Sequence, residues 1–323
     1  MPSMQAPALL GSKMEAPELY EISDLLGGAD AFQRSSPPVR LGVFGDPVKH
    51  SRSPIFQNAA LKACGIPASY TRLHVDAGNF SEGLRALPAA GFLGANVTMP
   101  HKAAALTGVD EADDYARVSG SVNTIVVDGG NLLGFNTDGP GLSRAIREEF
   151  HADLKDLRVV LLGAGGGVGR AIAVQCAMES CERLVLVNRS LEKAQSLASE
   201  LALRFWSEKP RGAFDRLLAI PHEDVLLQRE LEHADLLINA TALGMKRTDP
   251  AVIPARLICS KLLVYDTVYA GGATRLVEDA AAAGARAANG LSMLLHQGAL
   301  SFEIWFNRPA PLEVMRQALF STQ

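Results

Sequence analysis

Short hydrophobic runs alternate along this chain with longer stretches of helical periodicity. In the second half, apolar runs at 159–162, 183–187 and 236–238 are each followed by polar or glycine-containing residues, and the first two then lead into helical patterns. Short apolar runs in regular alternation with helices predict parallel strands that are buried on both faces. We therefore predict an α/β fold with a Rossmann-type unit in this half of the chain.

The first half of the chain shows the same alternation, with strands predicted at 39–44 and 70–75 and a helix that begins at Ser53-Pro54. The turn at 128–131 predicts a β-hairpin, and two helices are predicted near the C-terminus. Residues 1–38 are rich in proline and small residues and carry one helix-like patch at 18–26. We expect this extension to dock weakly or not at all.

Length and composition set further limits. A chain of 323 residues with 48% hydrophobic residues favours two domains, each with its own core. The net charge of -4 offers no basic field for nucleic acid, and no run of about 18 uncharged apolar residues predicts a membrane span. The four cysteines lack a paired metal-binding spacing. We expect a cytoplasmic protein without a bound metal, either a monomer or a homodimer.

A glycine-rich loop at 163–169 follows the first strand of the Rossmann-type unit. Gly163 allows a tight turn, and Gly165 lets the backbone approach a pyrophosphate at the positive end of the next helix. The third glycine of the usual fingerprint is displaced, because Val168 holds its position and Gly169 follows. A lone glycine pattern is weak evidence, but the second strand–helix unit strengthens it. The loop predicts a dinucleotide site.

The end of the second Rossmann strand indicates which dinucleotide is bound. NAD enzymes place an acidic residue there to bind the ribose hydroxyls, whereas this chain has Asn188-Arg189-Ser190. Arg189 can face a 2′-phosphate, and Lys193 can add charge one helical turn later, although Lys193 could also contact solvent only. The pattern favours NADP.

Polar residues in the first half form the candidate substrate site. Ser51 and Ser53 lie at a helix start, where the dipole favours a carboxylate, but the pattern alone favours Ser53 as a plain helix cap. Thr98 and Lys102 follow a strand at the sheet edge where α/β folds bind ligands, but most lysines are simply solvated.

Three more polar residues add to this set. Asn123 lies on the first arm of the hairpin, and Asp138 follows the second arm, where it could act only as a helix cap. Gln297 shares a helix face with Met293, and its alternative is a surface position.

Taken together, these motifs resemble the shikimate dehydrogenase family over roughly residues 39–320. The matching segments occur in the family's order and approximate spacing: His50-Ser51-Arg52-Ser53-Pro54, Asn96-Val97-Thr98-Met99-Pro100-His101-Lys102, Val122-Asn123-Thr124, Asn136-Thr137-Asp138-Gly139, Gly163-Ala164-Gly165-Gly166, Asn188-Arg189-Ser190, Asn239-Ala240-Thr241, and Gly290-Leu291 through Met293 and Gln297.

The resemblance implies a two-domain α/β fold. Residues 39–139 would bind shikimate, residues 140–288 would form the Rossmann-type NADP domain, and residues 289–323 would return to complete the first domain. The implied reaction is the reversible NADP-dependent reduction of 3-dehydroshikimate to shikimate, in aromatic amino acid biosynthesis.

The family's functional residues carry over position by position. Its substrate-binding residues correspond here to Ser51, Ser53, Thr98, Lys102, Asn123, Asp138, Tyr269 and Gln297, with Lys102 and Asp138 as the catalytic pair. Its cofactor-binding positions correspond to Gly163, Ala164, Gly165, Gly166, Gly167, Asn188, Arg189, Lys193, Thr241, Gly290 and Met293.

This chain also departs from the family pattern. The glycine loop is one residue longer before its arginine than the common form, and Asn289 stands where an aspartate is common. A quinate/shikimate dehydrogenase is the first alternative function, although the pair Ser51 and Ser53 favours shikimate. A silent nucleotide-binding sensor on the same fold is a second alternative, which the presence of both Lys102 and Asp138 disfavours.

Overall fold

The computed structural model describes residues 16–205, 216–269 and 272–321, and these residues form two sheets. The first sheet has seven strands in the order β1-β3-β2-β4-β6-β7-β5. Its strands are β1 Leu19–Glu21, β2 Val39–Gly45, β3 Ser69–His74, β4 Gly94–Val97, β5 Glu111–Ala112, β6 Thr124–Asp128 and β7 Asn131–Phe135. Strands β3, β2 and β4 run parallel, and the predicted hairpin is the antiparallel pair β6 and β7.

Helices follow the strands of this sheet, as the alternating pattern predicts. They are α1 Ile22–Leu26, α2 Asp30–Gln33, α3 Ser53–Ala63, α4 Phe80–Ala86, α5 Lys102–Gly108 and α6 Asp114–Ser119. Helix α5 begins where the chain leaves β4, and α3 begins after the loop that follows β2. Both helix starts therefore lie at the same edge of the sheet, since the parallel strands end there.

The second sheet is parallel, with six strands in the order β10-β9-β8-β11-β12-β13. The strands are β8 Arg158–Leu162, β9 Arg183–Asn188, β10 Leu217–Pro221, β11 Leu236–Asn239, β12 Leu263–Asp266 and β13 Arg286–Ala288. The helices are α7 Asp138–Phe150, which precedes β8, and α8 Gly167–Met178, α9 Leu191–Phe205, α10 Asp224–Leu231 and α11 Arg275–Ala282. This is the strand order of a dinucleotide-binding Rossmann unit, so the fold-class prediction is confirmed.

The last two helices return to the first sheet. They are α12 Leu291–Phe306 and α13 Leu312–Phe320. Met315 and Leu319 of α13 share one hydrophobic core with Leu41 of β2 and Phe56 of α3. The C-terminal residues thus complete the core of the first sheet, as the family resemblance implies.

Residues 16–38, called the N-terminal segment from here on, correct one sequence-based expectation. They do not dock weakly: β1 pairs in parallel with β3, and Tyr20 and Phe32 are 4% and 0% exposed. Phe32 packs edge-on against Phe92, with ring centroids 4.9 Å apart. The expectation was wrong because a strand of three residues is too short to show an alternating apolar pattern. In addition, the composition of the segment does not reveal that β1 covers the open edge of β3.

A charged cluster joins α7 to the two C-terminal helices. Glu148 of α7 accepts hydrogen bonds from both terminal nitrogens of the Arg316 guanidinium, at 2.6 and 2.8 Å. Its Oε2 also lies 2.7 Å from Nε2 of His296, whose side chain is only 6% exposed. Burial lowers the pKa of His296 more than Glu148 raises it.

We expect this lowered pKa to make folding stability depend on pH. The folded protein holds a proton on His296 less tightly than the unfolded chain does, so the stability is fully present above about pH 6.5 and is lost as pH falls through the lowered pKa. Urea unfolding should show the wild type losing stability relative to His296→Gln between neutral pH and about pH 5. A difference that stays constant with pH would contradict the assignment.

Candidate active site

Lys102 and Asp138 meet at the edge of the first sheet. Lys102 is the first residue of α5, and Asp138 is the first residue of α7, just beyond the hairpin. The Lys102 Nζ donates to Asp138 Oδ2 at 2.7 Å, and the two side chains are 17% and 5% exposed. A solvated lysine would not be so enclosed, so Lys102 is a largely buried cation in direct contact with a buried carboxylate.

Asn123 fixes the second oxygen of that carboxylate. Its Nδ2 donates to Asp138 Oδ1 at 2.8 Å and to Thr137 Oγ1 at 2.9 Å, and its Oδ1 accepts from the Thr137 N–H at 2.9 Å. Thr137 occupies the position before the helix, so Asp138 is not the cap of α7. The capping alternative for Asp138 is therefore wrong, and its carboxylate is held between an ammonium and an amide.

A buried polar network lies beneath this site, and sequence reasoning missed it. Asn96 of β4 donates from Nδ2 to Ser301 Oγ at 2.9 Å and to Thr124 Oγ1 at 3.1 Å. Its Oδ1 accepts from the Tyr70 hydroxyl at 2.8 Å. Thr124 in turn donates to Asn123 Oδ1 at 2.9 Å, which links the network to the site. The available signal was an asparagine within a strand that is otherwise apolar and fully buried.

Ser51 and Ser53 lie together at the start of α3. The helix begins at Ser53, and Arg52 takes the cap position, so the prediction that Ser53 is the cap is wrong by one residue. The Ser53 N–H points at Ser51 Oγ, 3.3 Å away, which keeps the Ser51 hydroxyl at the positive end of the helix. Such a pair of hydroxyls can donate to a carboxylate.

Tyr269 and Gln297 approach the site from the second half of the chain. The Gln297 Oε1 lies 3.5 Å from Asn123 Nδ2, and its Nε2 donates to Leu294 O at 2.9 Å, so the surface alternative for Gln297 is wrong. Tyr269 packs against the core of the first sheet, and burial raises the pKa of its hydroxyl, partly offset by the charge of Arg52.

Thr98 lies just past β4, where it faces the end of β2. Its N–H donates to Phe44 O at 2.8 Å, and a Cβ added to Gly45 would lie 2.5 Å from the Thr98 methyl group. The predicted substrate-binding residues therefore gather around the carboxyl ends of β2 and β4 and the starts of α3, α5 and α7.

The glycine loop closes against the neighbouring strand β11. Gly163 has a φ of 82°, which favours glycine, and a Cβ there would lie 2.8 Å from Thr241 Cγ2. A Cβ on Gly169 would overlap the Gly163 carbonyl, whereas one on Gly167 would contact no atom of the described residues within 4 Å. Gly169 is thus the glycine that lets α8 pack on the turn. The longer loop therefore keeps the close helix–strand packing for which the fingerprint uses its third glycine.

The end of β9 fits a phosphorylated ribose. Asn188 Nδ2 donates to Ser190 O at 3.0 Å, and a Cβ on Gly165 would lie 2.9 Å from the same nitrogen, so side chain and loop are in close contact. Arg189 and Lys193 are both exposed beside them. The residues present fit NADP, because two exposed cations stand where an NAD enzyme has its ribose-binding acid.

The carboxyl ends of β11 and β12 lie side by side, and the start of α12 packs against the residue that follows β12. Asn239 accepts from the Thr241 hydroxyl at 2.7 Å and donates to Asp266 at 2.8 Å. A Cβ on Gly290 would overlap the Thr267 carbonyl, and the Met293 N–H donates to the Tyr265 hydroxyl at 3.0 Å. These contacts hold the segment from Gly290 to Met293 close to the ends of the two strands.

Residues 16–205, 216–269 and 272–321 contain no group of three or more His, Cys, Asp or Glu side chains placed to hold a metal ion. Within those same ranges, no helix combines the length and the apolar character that a membrane crossing needs.

A Rossmann sheet with a dinucleotide loop, joined to a second sheet that carries a buried lysine–aspartate pair, defines a two-domain dehydrogenase. Comparison with protein families specifies it further. Residues 43–125 match the shikimate dehydrogenase substrate binding domain, residues 145–243 match shikimate / quinate 5-dehydrogenase, and residues 290–320 match the shikimate 5'-dehydrogenase C-terminal domain. The chain belongs to the shikimate dehydrogenase family.

Individual relatives agree with this assignment. The shikimate dehydrogenase (NADP(+)) of Methanopyrus kandleri is 39% identical over 281 residues, which cover 86% of this chain and 94% of the relative. The structure of shikimate 5-dehydrogenase from Thermus thermophilus in complex with NADP(H) and shikimate has a TM-score of 0.77 at 32% identity, covering 88% of this chain and 100% of the other. Quinate dehydrogenase from Corynebacterium glutamicum in complex with NAD has a TM-score of 0.75 at 28% identity, with 88% and 99% covered.

Proposed function

We propose that this protein catalyses the reversible, NADP-dependent reduction of 3-dehydroshikimate to shikimate, with Lys102 and Asp138 as its catalytic pair. The observation that carries the proposal is the 2.7 Å contact between the Lys102 ammonium and the Asp138 carboxylate at the carboxyl ends of the strands. The two shikimate dehydrogenases named above, one named for NADP(+) and the other solved with NADP(H) and shikimate, support the substrate and the cofactor. The chain places its charged pair where α/β folds bind ligands.

The surrounding polar side chains provide a complementary site for shikimate. Ser51 and Ser53 would hold the carboxylate at the positive end of α3, with Tyr269 beside them. Thr98, Asn123, Gln297 and the catalytic pair would bind the ring hydroxyls. A hydroxyl needs both donors and acceptors, and amides together with a carboxylate supply both.

The chemical step needs a hydride at one carbon and a proton at one oxygen. NADPH supplies the hydride when bound. As the C3 carbonyl becomes an alcohol, negative charge develops on its oxygen, and Lys102 can stabilise that charge or donate the proton. Asp138 keeps the ammonium directed at the oxygen, and Asn123 keeps the carboxylate in place.

We also propose which part of the chain binds the substrate and which part binds the cofactor. Residues 39–139 with 289–323 form the shikimate-binding unit, and residues 140–288 bind NADP. The residues proposed to contact the cofactor are Gly163, Ala164, Gly165, Gly166, Gly167, Asn188, Arg189, Lys193, Thr241, Gly290 and Met293. We place the protein in the cytoplasm, as a monomer or homodimer.

Substrate and cofactor choice can be tested together. Initial rates should be measured with shikimate and with quinate, each paired with NADP and with NAD. We expect the highest kcat/KM for shikimate with NADP. A higher kcat/KM for quinate would replace the proposal by the quinate/shikimate dehydrogenase alternative.

Removing the Ser51 hydroxyl should weaken substrate binding more than it slows turnover. A hydrogen bond to a carboxylate contributes about 1.5–3 kcal/mol, so Ser51→Ala should raise the KM for shikimate by roughly 10- to 100-fold. Steady-state kinetics with a separate NADP titration checks this. An unchanged KM would leave Ser51 with only its contact to the Ser53 N–H.

Arg189→Ala should reduce the preference for NADP over NAD. The exposed guanidinium can pair with the 2′-phosphate, a contact that NAD lacks, so the KM for NADP should rise while that for NAD stays unchanged. Added salt should weaken the wild-type preference, because exposed charges are screened. A variant that discriminates as strongly as the wild type would remove Arg189 from the cofactor site.

A further inference from the structure

One arginine connects the N-terminal segment to the loop that carries Ser51. Arg72 of β3 donates from Nε and Nη2 to the Ser51 carbonyl at 3.0 and 2.8 Å. Its remaining terminal nitrogen donates to the Glu18 carbonyl at 3.4 Å. The loop at residues 46–52 is called the carboxylate loop from here on. A single planar guanidinium thus bridges the carboxylate loop and the residue that precedes β1.

A histidine two residues along the same strand makes a second connection. His74 Nδ1 lies 2.8 Å from Glu21 Oε2 in the N-terminal segment, and its Nε2 lies 3.3 Å from Asp46 Oδ1 in the carboxylate loop. Hydrogen bonding to Glu21 raises the pKa of His74, which favours the charged form that can donate to both carboxylates.

The pairing of β1 with β3 sets up both connections. Leu19 lies opposite Arg72 and Glu21 lies opposite His74 in the register of the two strands. Side chains two apart on a strand share a face, so Arg72 and His74 reach the same loop. The match to the family's substrate-binding domain begins at residue 43, so the N-terminal segment lies outside it.

We propose that the N-terminal segment supports the carboxylate loop, and that Arg72 and His74 are positioning residues that hold this loop for substrate binding. This inference rests on the proposed function, in which Ser51 and Ser53 bind the substrate carboxylate. Arg72 fixes the backbone of Ser51 from behind, and the segment fixes Arg72 and His74. When the loop is free to move, part of the binding energy is used to order it, so substrate affinity falls.

The expected signature is a change in substrate KM alone. Arg72→Ala should raise the KM for shikimate by about tenfold while kcat and the KM for NADP stay within about twofold, because the contact exists equally in ground and transition states. Arg72→Lys should recover part of the loss, since the ammonium can still donate to the Ser51 carbonyl but cannot reproduce the two-nitrogen contact of the guanidinium. Ser51→Ala is measured alongside as the reference for the proposed function.

Glu21 provides the sharper test, because it lies in the N-terminal segment and, among the residues that the structure describes, its side chain is linked to the loop through His74. Its side chain is 54% exposed, so Glu21→Gln should fold normally. We expect a two- to threefold rise in the KM for shikimate, about the size that an exposed ion pair can give. Asp30→Asn, an exposed carboxylate of the same segment, is the matched control and should change nothing. The double variant Glu21→Gln/His74→Gln should be no worse than His74→Gln alone.

The possible outcomes separate the two proposals. If Ser51→Ala raises the KM for shikimate but the Arg72 and Glu21 variants do not, the support role is wrong and the proposed function stands. If Ser51→Ala leaves that KM unchanged, the carboxylate site itself is wrong. A general loss of stability with parallel changes in kcat and in both KM values would show that the segment is merely structural and would also overturn the inference.

Discussion

Replacement of Lys102 by alanine is expected to lower kcat by about 10²- to 10⁴-fold with a smaller change in the KM for shikimate. The ammonium lies 2.7 Å from Asp138 and is largely buried, so it meets the developing charge on the substrate oxygen in a poorly solvated site. That interaction is strongest in the transition state. Its loss should therefore appear in turnover rather than in binding.

Two other roles for Lys102 would give different kinetics. A lysine that only binds a substrate hydroxyl would raise KM, and a solvated lysine would change neither constant by much. An NADP titration confirms that the Rossmann unit of the variant is intact. A kcat within about threefold of the wild type would remove Lys102 from the mechanism.

The second large effect is expected for Asp138→Asn. The amide keeps the shape of the carboxylate but removes its charge, which leaves Lys102 as a buried cation without its counterion. We expect kcat to fall by about 10²-fold, because the ammonium is no longer held toward the substrate oxygen. The double variant with Lys102→Ala should cost far less than the product of the two single losses, since the residues act as one unit.

A matched control for this experiment is Asp235→Asn. Asp235 is also an ion-paired aspartate, bound to Arg158, but it lies at the amino ends of the Rossmann strands. Its replacement should affect stability without lowering kcat.

The double variant also provides the contradicting outcome. If the losses of kcat for Lys102→Ala and Asp138→Asn simply multiply in the double variant, the two residues do not act as a shared catalytic unit.

The Rossmann half could be predicted because its signals are local. Buried parallel strands are continuous apolar runs, and each is separated from the next by a helical pattern, so the strand at 183–187 was placed within one residue of Arg183–Asn188. The glycine loop was recognised from its spacing. The spacing did not show which glycine packs on the turn, because the close approach of Gly169 to the Gly163 carbonyl is visible only in the folded structure.

The site required contacts that spacing alone does not give. Lys102 and Asp138 come from two different helix starts, and only the family resemblance pointed to their meeting. The sequence pattern allowed Asp138 to be a helix cap, and the structure excludes this because Thr137 takes that position. The network around Asn96 was missed because a single asparagine in an apolar strand reveals neither its partners nor its depth.

For the N-terminal segment, the sequence-based expectation was wrong. Its composition predicts a weakly docked extension, yet Tyr20 and Phe32 are buried and β1 extends the first sheet. The segment docks through tertiary contacts: β1 pairs with the edge of β3, and Phe32 packs against Phe92. Both partners are distant in sequence, so the residues around the segment do not reveal them.

The most direct test of the proposed function is turnover of 3-dehydroshikimate by the purified wild-type protein with NADPH. The rate of NADPH oxidation and the amount of shikimate formed should be followed together. We predict stoichiometric conversion, with one shikimate produced for each NADPH oxidised and much slower oxidation of NADH. Binding of NADPH and 3-dehydroshikimate without turnover would contradict the proposed activity and would favour a nucleotide-binding sensor on the same fold.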